Sequence, residues 1–120
     1  MKRILLIDDD PGVMSLLKKP LEAAGYRVDM SGNGAEGLES ARLQRPDIVL
    51  VDVVMPKMDG FSFVREMRSD DALKKTPIIV ITAKTDLDDL FRAEGVEAFL
   101  KKPISIEEVL GRVEMLIGRS

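Results

Sequence analysis

Short apolar segments alternate with segments of helical periodicity along the chain, and each pair predicts a strand followed by a helix. The predicted strands are Ile4–Ile7, Arg27–Ser31, Asp47–Asp52, Pro77–Thr82 and Ala98–Leu100. The first, third and fourth are almost continuously apolar, which is typical of strands that a parallel sheet buries on both faces. The second alternates between polar and apolar residues and therefore suits an outer position in the sheet.

The first predicted helix carries clear start and stop signals. Asp10 is expected as its N-cap, Pro11 occupies the first helical position and Gly25 ends it. Pro20 cannot donate to the carbonyl of Leu16, so we expect a kink at that point. The predicted apolar stripe of this helix consists of Val13, Leu16, Leu17, Leu21 and Ala24.

Further helices are predicted at Gly34–Gln44, Phe61–Arg68 and Leu87–Glu94, with the loop Met55–Gly60 preceding the second of these. The helix Gly34–Gln44 should be weak because two glycines, Gly34 and Gly37, lie near its start. Ser105 and Glu108 form a capping box for the last helix. Its predicted apolar stripe consists of Ile106, Val109, Leu110, Val113 and Leu116.

Strands that alternate with crossover helices predict a parallel sheet covered by helices on both faces. Because such crossovers are right-handed, we expect an α/β fold of the flavodoxin-like, doubly wound (βα)5 type, with a five-stranded sheet in the order 2-1-3-4-5. The chain has 120 residues, the length of one ordinary domain, and we assign residues 1–120 to a single domain. Ligands of such sheets bind at the carboxyl ends of the central strands.

Composition restricts the chemistry that the chain can perform. It is 45% hydrophobic and 32% charged, which fits a soluble globular protein. It contains no cysteine and no histidine, which excludes disulfides, zinc bound by thiolate or histidine, and a Ser-His-Asp triad, and which suits a reducing cytoplasm. The net charge is −3 without a basic block, and no apolar run approaches membrane-spanning length. We therefore expect no direct binding to nucleic acid or membrane.

Acidic residues follow two strands that the predicted sheet places side by side. Asp8 and Asp9 come after the first strand, and Asp52 ends the third. Clustered carboxylates repel one another unless a positive group compensates, and hard oxygen ligands suit Mg²⁺. The alternative is that these acids only begin turns or cap helices, a role that we assign to Asp10 alone. From this chemistry, a site for a divalent cation and simple turn formation remain open.

Four motifs in order resemble those of the response-regulator receiver family, whose members act in two-component phosphorelays, and the resemblance spans Met1 to about Ile117. They are Asp8-Asp9 after an apolar strand, Asp52 within DIVLVDVVMPKMDG, Thr82-Ala83 after IIVI, and Lys102-Pro103 within AFLKKP. The resemblance implies that Asp52 accepts a phosphoryl group from a phosphohistidine. It also implies a Mg²⁺ cofactor held by Asp8, Asp9, Asp52 and the backbone carbonyl of Val54.

Further roles follow from the same resemblance. Lys102 would supply a positive charge to the phosphoryl group, and Thr82 and Ala83 would donate a hydroxyl and a backbone N–H to it. The Lys102–Pro103 peptide should be cis. Thr82 and Phe99 would form the switch, in which Thr82 moves toward the phosphoryl group and Phe99 fills the space that it leaves.

The partners implied are a sensor histidine kinase or a phosphotransfer protein, and a downstream protein. The downstream protein would bind a face made by the fourth helix (Leu87–Glu94), the fifth strand and the fifth helix. The chain would be a monomer or weak dimer. It would be a switch that assists its own phosphorylation and dephosphorylation rather than an enzyme.

Two departures from the family pattern bear on function. The separation of Thr82 and Lys102 is 20 positions, about two fewer than in the family, and the difference falls before or within the fourth helix. Val54 and Lys84 lie two positions beyond Asp52 and Thr82, where the family tunes dephosphorylation. Valine cannot hold an attacking water, so we expect a phosphoryl lifetime that is moderate to long.

Three other functions fit these residues less well. A phosphatase of the haloacid dehalogenase type needs a second acid where Val54 stands. A flavodoxin-like FMN carrier is disfavoured because the acidic loop Asp8–Asp10 would repel the phosphate of FMN. An interaction module that works without phosphorylation is favoured only by the shortened segment before the fourth helix.

Overall fold

The computed structural model describes residues 1–53, 58–83 and 94–119. The strands are β1 (Arg3–Ile7), β2 (Arg27–Ser31), β3 (Ile48–Asp52), β4 (Ile78–Thr82) and β5 (Ala98–Lys101). The helices are α1 (Pro11–Ala23), α2 (Gly34–Gln44), α3 (Gly60–Ser69) and α4 (Ile106–Ile117). The predicted helix Leu87–Glu94, except for its last residue, and most of the loop before α3 lie outside these ranges.

All strand pairs are parallel, and the sheet order is β2-β1-β3-β4-β5. The predicted fold class and strand order are therefore confirmed. In the two central pairs, Ile7 lies beside Val51, and Asp52 lies beside Ile81. Since these strands end at the same edge, the residues that follow β1, β3 and β4 are brought together there.

The core lies on both faces of the sheet because successive side chains of a strand point to opposite sides. On one face, Ile4 and Leu6 of β1 pack with Leu17 and Leu21 of α1 and with α4. On the other, the intervening residues Leu5 and Ile7 pack with α2 and α3; this cluster also contains Phe63, Val64 and Met67. Every residue of β3 and β4 is buried, as the continuous apolar runs predicted.

Helix α1 begins as predicted, but its buried stripe is narrower than the predicted one. The Asp10 side chain accepts a hydrogen bond from the Gly12 N–H at 2.8 Å, and the helix runs without a break through Pro20. Leu16 and Ala24 were wrongly assigned to the stripe: Leu16 is 54% exposed, and Ala24 is the exposed C-cap. Viewed along the helix axis, Leu16 lies about 120° from the midpoint between the buried residues Leu17 and Leu21. Ala24 falls where the helix has already ended.

The two glycines that made α2 look weak allow the helix to lie close to its neighbours. A Cβ at Gly37 would lie 2.4 Å from Cδ1 of Ile7 in β1. A Cβ at Gly34 would lie 2.2 Å from the backbone oxygen of Met58, which accepts a hydrogen bond from the Gly34 N–H. Asn33 caps the helix by accepting from the Glu36 N–H at 2.9 Å.

Helix α4 is fixed at both of its ends. The Ser105 hydroxyl accepts a hydrogen bond from the Glu108 N–H at 3.3 Å, as expected for the Ser105 half of the capping box. At the other end, the hydroxyl of buried Tyr26 donates to the carbonyl of Gly118 at 2.7 Å. The predicted stripe is confirmed, since Val109 and Val113 are buried and its other members pack partly buried against the core. No helix among the described residues has the length and apolar character needed to cross a membrane.

Candidate functional site

Three carboxylates converge at the carboxyl edge of the sheet. Asp8 follows β1 and Asp52 ends the adjacent strand β3; the two are only 6% and 7% exposed. Asp9 is exposed beside them. One carboxylate oxygen from each of the three lies within 4.8 Å of the others. The structure therefore brings these three acids together, whereas the side chain of Asp10 caps α1 and is not one of the three.

Lys102 compensates part of this negative charge. It follows β5, and its Nζ lies 3.2 Å from Oδ2 of Asp8 and 3.3 Å from Oδ2 of Asp52. The Lys102 side chain is 23% exposed, so the ammonium group is partly shielded from water. Its backbone N–H donates to the carbonyl of Thr82 at 3.0 Å, and the Lys102–Pro103 peptide is cis as expected.

Burial and charge shift the pKa values of this cluster. Burial is the largest influence on Asp8 and raises the pKa of its carboxyl, although the hydrogen bond from the Asp10 N–H opposes it. The neighbouring Asp52 charge raises the Asp8 pKa further. For Lys102, burial alone would lower the pKa, but attraction to Asp52 and Asp8 outweighs burial and raises it. Lys102 therefore remains an ammonium group at neutral pH.

The two oxygens of Asp52 have different partners. Oδ1 accepts a hydrogen bond from the Val53 N–H at 2.7 Å, and Oδ2 faces the Lys102 ammonium. These contacts fix the orientation of the carboxylate at the end of a strand that is itself fully buried. A carboxylate held in this way loses little rotational freedom when it reacts.

The other predicted site residues take the following positions. Thr82 ends β4 and is 1% exposed, while Ala83 directly after it is exposed. Phe99 lies beside Val80 in the sheet and packs, partly buried, against the core cluster on the α2 and α3 face. Thr82 therefore lies at the edge of the sheet that carries the three acids, whereas Phe99 lies in β5, one strand further from β1 and β3. Val54, expected to contribute its carbonyl, and Lys84 lie outside the described residues.

The beginning of α3 supports the site through a close contact that the sequence did not predict. Asp59 caps α3 by accepting from the Ser62 N–H at 2.7 Å, and the Gly60 N–H donates to the carbonyl of Val53 at 2.9 Å. A Cβ at Gly60 would lie 2.3 Å from the backbone oxygen of Asp52. Only a glycine lets the helix approach Asp52 this closely. The Asp-Gly pair that ends the quoted motif was the available signal.

The donor set fits a magnesium ion. Carboxylate oxygens are the ligands that Mg²⁺ prefers, and nitrogen and sulfur ligands, which would favour zinc or copper, are absent from the cluster. Asp8 and Asp52 are buried while Asp9 is exposed, so the group opens to solvent on one side. The arrangement can hold a hard divalent cation next to a buried carboxylate and an ammonium group.

Comparison with known proteins agrees with this geometry. The profile of the response regulator receiver domain matches residues 4–114, and the chain belongs to that family. It is therefore a receiver domain of the response regulators that operate in two-component systems. Curated relatives include the DNA-binding dual master transcriptional regulator RpaA of Synechocystis sp., which is 36% identical over 122 residues. Another is the response regulator MprA of Mycobacterium leprae, 38% identical over 124 residues.

These two matches cover 100% and 98% of this chain but only 51% and 52% of the relatives. The chain thus spans about half the length of the curated relatives that it matches.

Among solved structures, Vibrio cholerae chemotaxis protein CheY4 has a TM-score of 0.91 at 32% identity, covering 97% of this chain and 98% of that one. The receiver domain of the Pseudomonas aeruginosa sensor histidine kinase PA1611 has a TM-score of 0.88 at 32% identity, covering 98% of each. That structure holds a magnesium ion in its active site cleft.

Proposed function

We propose that this receiver domain accepts a phosphoryl group on Asp52 from a phosphohistidine of a sensor histidine kinase or phosphotransfer protein. A carboxylate oxygen of Asp52 attacks phosphorus, and a P–O bond forms as the P–N bond to the imidazole breaks. The electron pair of the broken bond returns to the imidazole nitrogen, which takes up a proton from solvent. The products are an aspartyl phosphate and a free histidine on the donor.

Residues around Asp52 orient its carboxylate and stabilise the negative charge of the incoming phosphoryl group. Lys102 contacts both buried carboxylates, so its ammonium group already lies where a phosphoryl oxygen would gain negative charge. Thr82 ends β4 at the same edge, and Ala83 comes directly after it; we assign the Thr82 hydroxyl and the Ala83 backbone N–H to the phosphoryl oxygens. Because these groups sit at strand ends, the rigid sheet sets their mutual positions.

Asp8, Asp9 and Asp52 would hold Mg²⁺, with the carbonyl of Val54 as a fourth protein ligand. An ion held by these oxygens would supply positive charge that offsets the negative charge of the phosphoryl group. The PA1611 receiver domain, which binds magnesium in its active site cleft, supports this assignment by similarity. The chain assists its own phosphorylation and dephosphorylation and is a switch rather than an enzyme that acts on a separate substrate.

Phosphorylation would be read out through Thr82 and Phe99. We assign the binding of a downstream protein to β5 and α4, in agreement with the signalling role of the family; the segment Leu87–Glu94, expected to take part, lies outside the described residues except for Glu94. The relatives extend to about twice the length of this chain, and the DNA binding named for RpaA is a property of that whole protein.

One observation carries the proposal: the buried carboxylate of Asp52 lies within 4.8 Å of two other carboxylates and 3.3 Å from a lysine ammonium group. Carboxylates that only cap helices, as Asp10 does, accept hydrogen bonds from the first turn of the helix and need no such cation. The combination of three acids and one lysine fits phosphoryl transfer, in which negative charge must be stabilised on both sides of the reacting atom.

Binding of beryllofluoride with Mg²⁺, followed by amide NMR spectra, tests this function. Beryllofluoride should shift the resonances of Thr82, Ala83 and Lys102 in the wild type and leave them unchanged in Asp52→Asn. The matched control is Asp10→Asn, because asparagine caps a helix as well as aspartate does and Asp10 is outside the acid cluster. This variant should respond like the wild type. A response in Asp52→Asn equal to that of the wild type would refute the assignment of Asp52.

A further inference from the structure

A single guanidinium group at the opposite end of the sheet makes five hydrogen bonds. Nε of Arg68 donates to the carbonyl of Glu94 at 3.2 Å. Nη1 donates to the carbonyls of Lys74 and Thr76 at 3.1 and 2.8 Å. Nη2 donates to the carbonyl of Gly95 at 2.9 Å and to Oε1 of Glu97 at 3.0 Å. An arginine side chain has five N–H donors, so every donor of Arg68 is used.

These five acceptors belong to two connections that lead into neighbouring strands. Lys74 and Thr76 lie in the turn before β4, and Glu94, Gly95 and Glu97 lie directly before β5. Arg68 itself is in the last turn of α3, and its side chain is only 16% exposed. A surface arginine with one ionic partner contributes little to a fold. A shielded arginine with five partners fixes the segments that it contacts.

Glu97 connects Arg68 directly to the ladder between β4 and β5. Its Oε1 also accepts from the backbone N–H of Ile78, the first residue of β4, at 2.8 Å. Its own N–H donates to the carbonyl of Ile78 at 3.0 Å. Glu97 is therefore bound to Ile78 through both its backbone and its side chain, and Arg68 holds that side chain. This sets how far β5 is displaced along β4.

The same register places the lysine of the site. The ladder continues from Ile79 beside Ala98 to Thr82 beside Lys101, and it ends where the Lys102 N–H donates to Thr82. β5 has four residues and lies at the edge of the sheet, so within the described part of the chain it pairs with β4 alone. A shift of β5 along β4 by a fraction of a residue would move the Lys102 ammonium away from Asp8 and Asp52 by a similar distance.

We propose that Arg68 is a positioning residue for phosphoryl transfer: by fixing the start of β5 against β4, it holds Lys102 and Phe99 in register with Thr82 and Asp52. The proposal rests on the proposed function. Arg68 acts on β4 at Ile78, through Glu97, and Asp52 lies beside Ile81. The proposal therefore predicts that an arginine contact about three strand residues from the reacting carboxylate, roughly 10 Å along β4, affects the rate of phosphorylation. Arg68 acts through the sheet and does not touch the phosphoryl group.

The test compares Arg68→Met with Arg65→Met on the same helix. Arg65 is the matched control, because it is one turn away and pairs with the carboxylate of Glu94 at 3.4 Å, yet its side chain is 65% exposed. Arg68→Lys is the second variant, since it keeps the charge and offers three donors from one point in place of a planar fork of five. All proteins are measured at a temperature at which they are folded.

The first readout is amide hydrogen exchange at two equivalent places in the sheet. The Lys102 N–H ends the β4–β5 ladder, and the Asp8 N–H, which donates to Ser31 at 3.1 Å, ends the β1–β2 ladder. In Arg68→Met, exchange of the Lys102 amide should accelerate on the order of tenfold relative to that of the Asp8 amide. A residue that only stabilises the fold as a whole would accelerate both amides equally.

The second readout is the rate of phosphorylation of Asp52 by acetyl phosphate with Mg²⁺. It should fall on the order of tenfold in Arg68→Met, less in Arg68→Lys, and remain within about twofold of the wild type in Arg65→Met. If Arg68→Met does not fold, the same comparison is made with Arg68→Lys. Equal acceleration of both amides, or a phosphorylation rate like that of Arg65→Met, overturns the proposal.

Failure of the proposed function is distinguishable from failure of this inference. If the wild type takes up no phosphoryl group on Asp52, the proposed function is wrong, and the ratio of the two exchange rates alone decides whether Arg68 sets the register. If the wild type is phosphorylated and Arg68→Met behaves like Arg65→Met, only the role of Arg68 is wrong.

Discussion

Replacing Gly60 by alanine should impair phosphorylation although Gly60 carries no reactive group. The added Cβ would lie 2.3 Å from the backbone oxygen of Asp52 and 2.8 Å from Cα of Val53. Both are backbone atoms of the strand end that carries the acceptor. They cannot rotate away as the end of a flexible side chain would, so α3 and the end of β3 must separate.

The size of the separation follows from these distances. To restore ordinary van der Waals contact, the new carbon and the Asp52 oxygen must move apart by about 1 Å. A misplacement of about 1 Å in a reacting group lowers rates by up to about 100-fold. Overpacking of this kind also destabilises a fold by about 1–3 kcal/mol. The hydrogen bond from the Gly60 N–H to Val53 would lengthen with the same movement.

Two measurements check this expectation. The rate of phosphorylation by acetyl phosphate with Mg²⁺ reports the placement of Asp52, and urea unfolding reports stability. Gly111→Ala is the matched control, because Gly111 is an exposed helical glycine with no atom within 4 Å of an added Cβ. That variant should react like the wild type and be more stable by about 0.5–1 kcal/mol. The reasoning is refuted if Gly60→Ala reacts within twofold of the wild type without losing stability.

Three further results are expected. Tyr26→Phe removes the hydrogen bond to Gly118 and should lower the free energy of unfolding by about 0.5–1.5 kcal/mol; an unchanged urea midpoint would contradict this. The pKa of Asp70 lies below its usual 3.8, chiefly because its carboxylate accepts from the Ala72 N–H. The stability that it contributes is therefore present above pH 3.8 and lost as the pH falls through the lower folded-state pKa. Unfolding of Asp70→Asn should accordingly depend less on pH below about 4, and equal pH dependence would exclude this. Finally, because Val54 cannot hold a water, phosphorylated protein freed of acetyl phosphate should lose its phosphoryl group slowly, and a lifetime of seconds would contradict the expectation.

The sequence predicted the sheet and the convergence of the three acids because both depend on local patterns. Continuous apolar runs predicted buried strands, and the parallel arrangement alone brings together the acids that follow or end those strands, whereas the role of Lys102 came from the family resemblance. Asp10 could be separated from Asp8 and Asp9 because the start of a helix has its own residue preferences. The predicted and observed strand boundaries differ by one residue at several strand ends, as expected where a ladder of hydrogen bonds ends gradually.

The features that were missed depend on contacts between segments distant in sequence. Gly37 looked like a weak point of α2 because nothing in the local sequence shows that Ile7 lies against it. Leu16 was assigned to the core because it is apolar and near the buried face, although the sheet covers a narrower part of α1. The partners of Arg68 come from two separate segments, before β4 and before β5, and a charged residue near the end of a helix gives no sign of them.

The complete burial of β3 and β4 has a consequence for sequence divergence. In a strand with one solvent-exposed face, a shift of the pairing register by one residue would expose apolar side chains and bury polar ones. Burial alone therefore disfavours such a shift. Here a slip would replace one apolar residue by another on both faces, and the core would hardly distinguish the two alignments. The correct alignment must instead be specified at the strand ends, by residues such as Asp52, Thr82 and Glu97. The interior can therefore exchange aliphatic residues freely over evolutionary time, which accords with TM-scores of 0.88–0.91 at 32% identity.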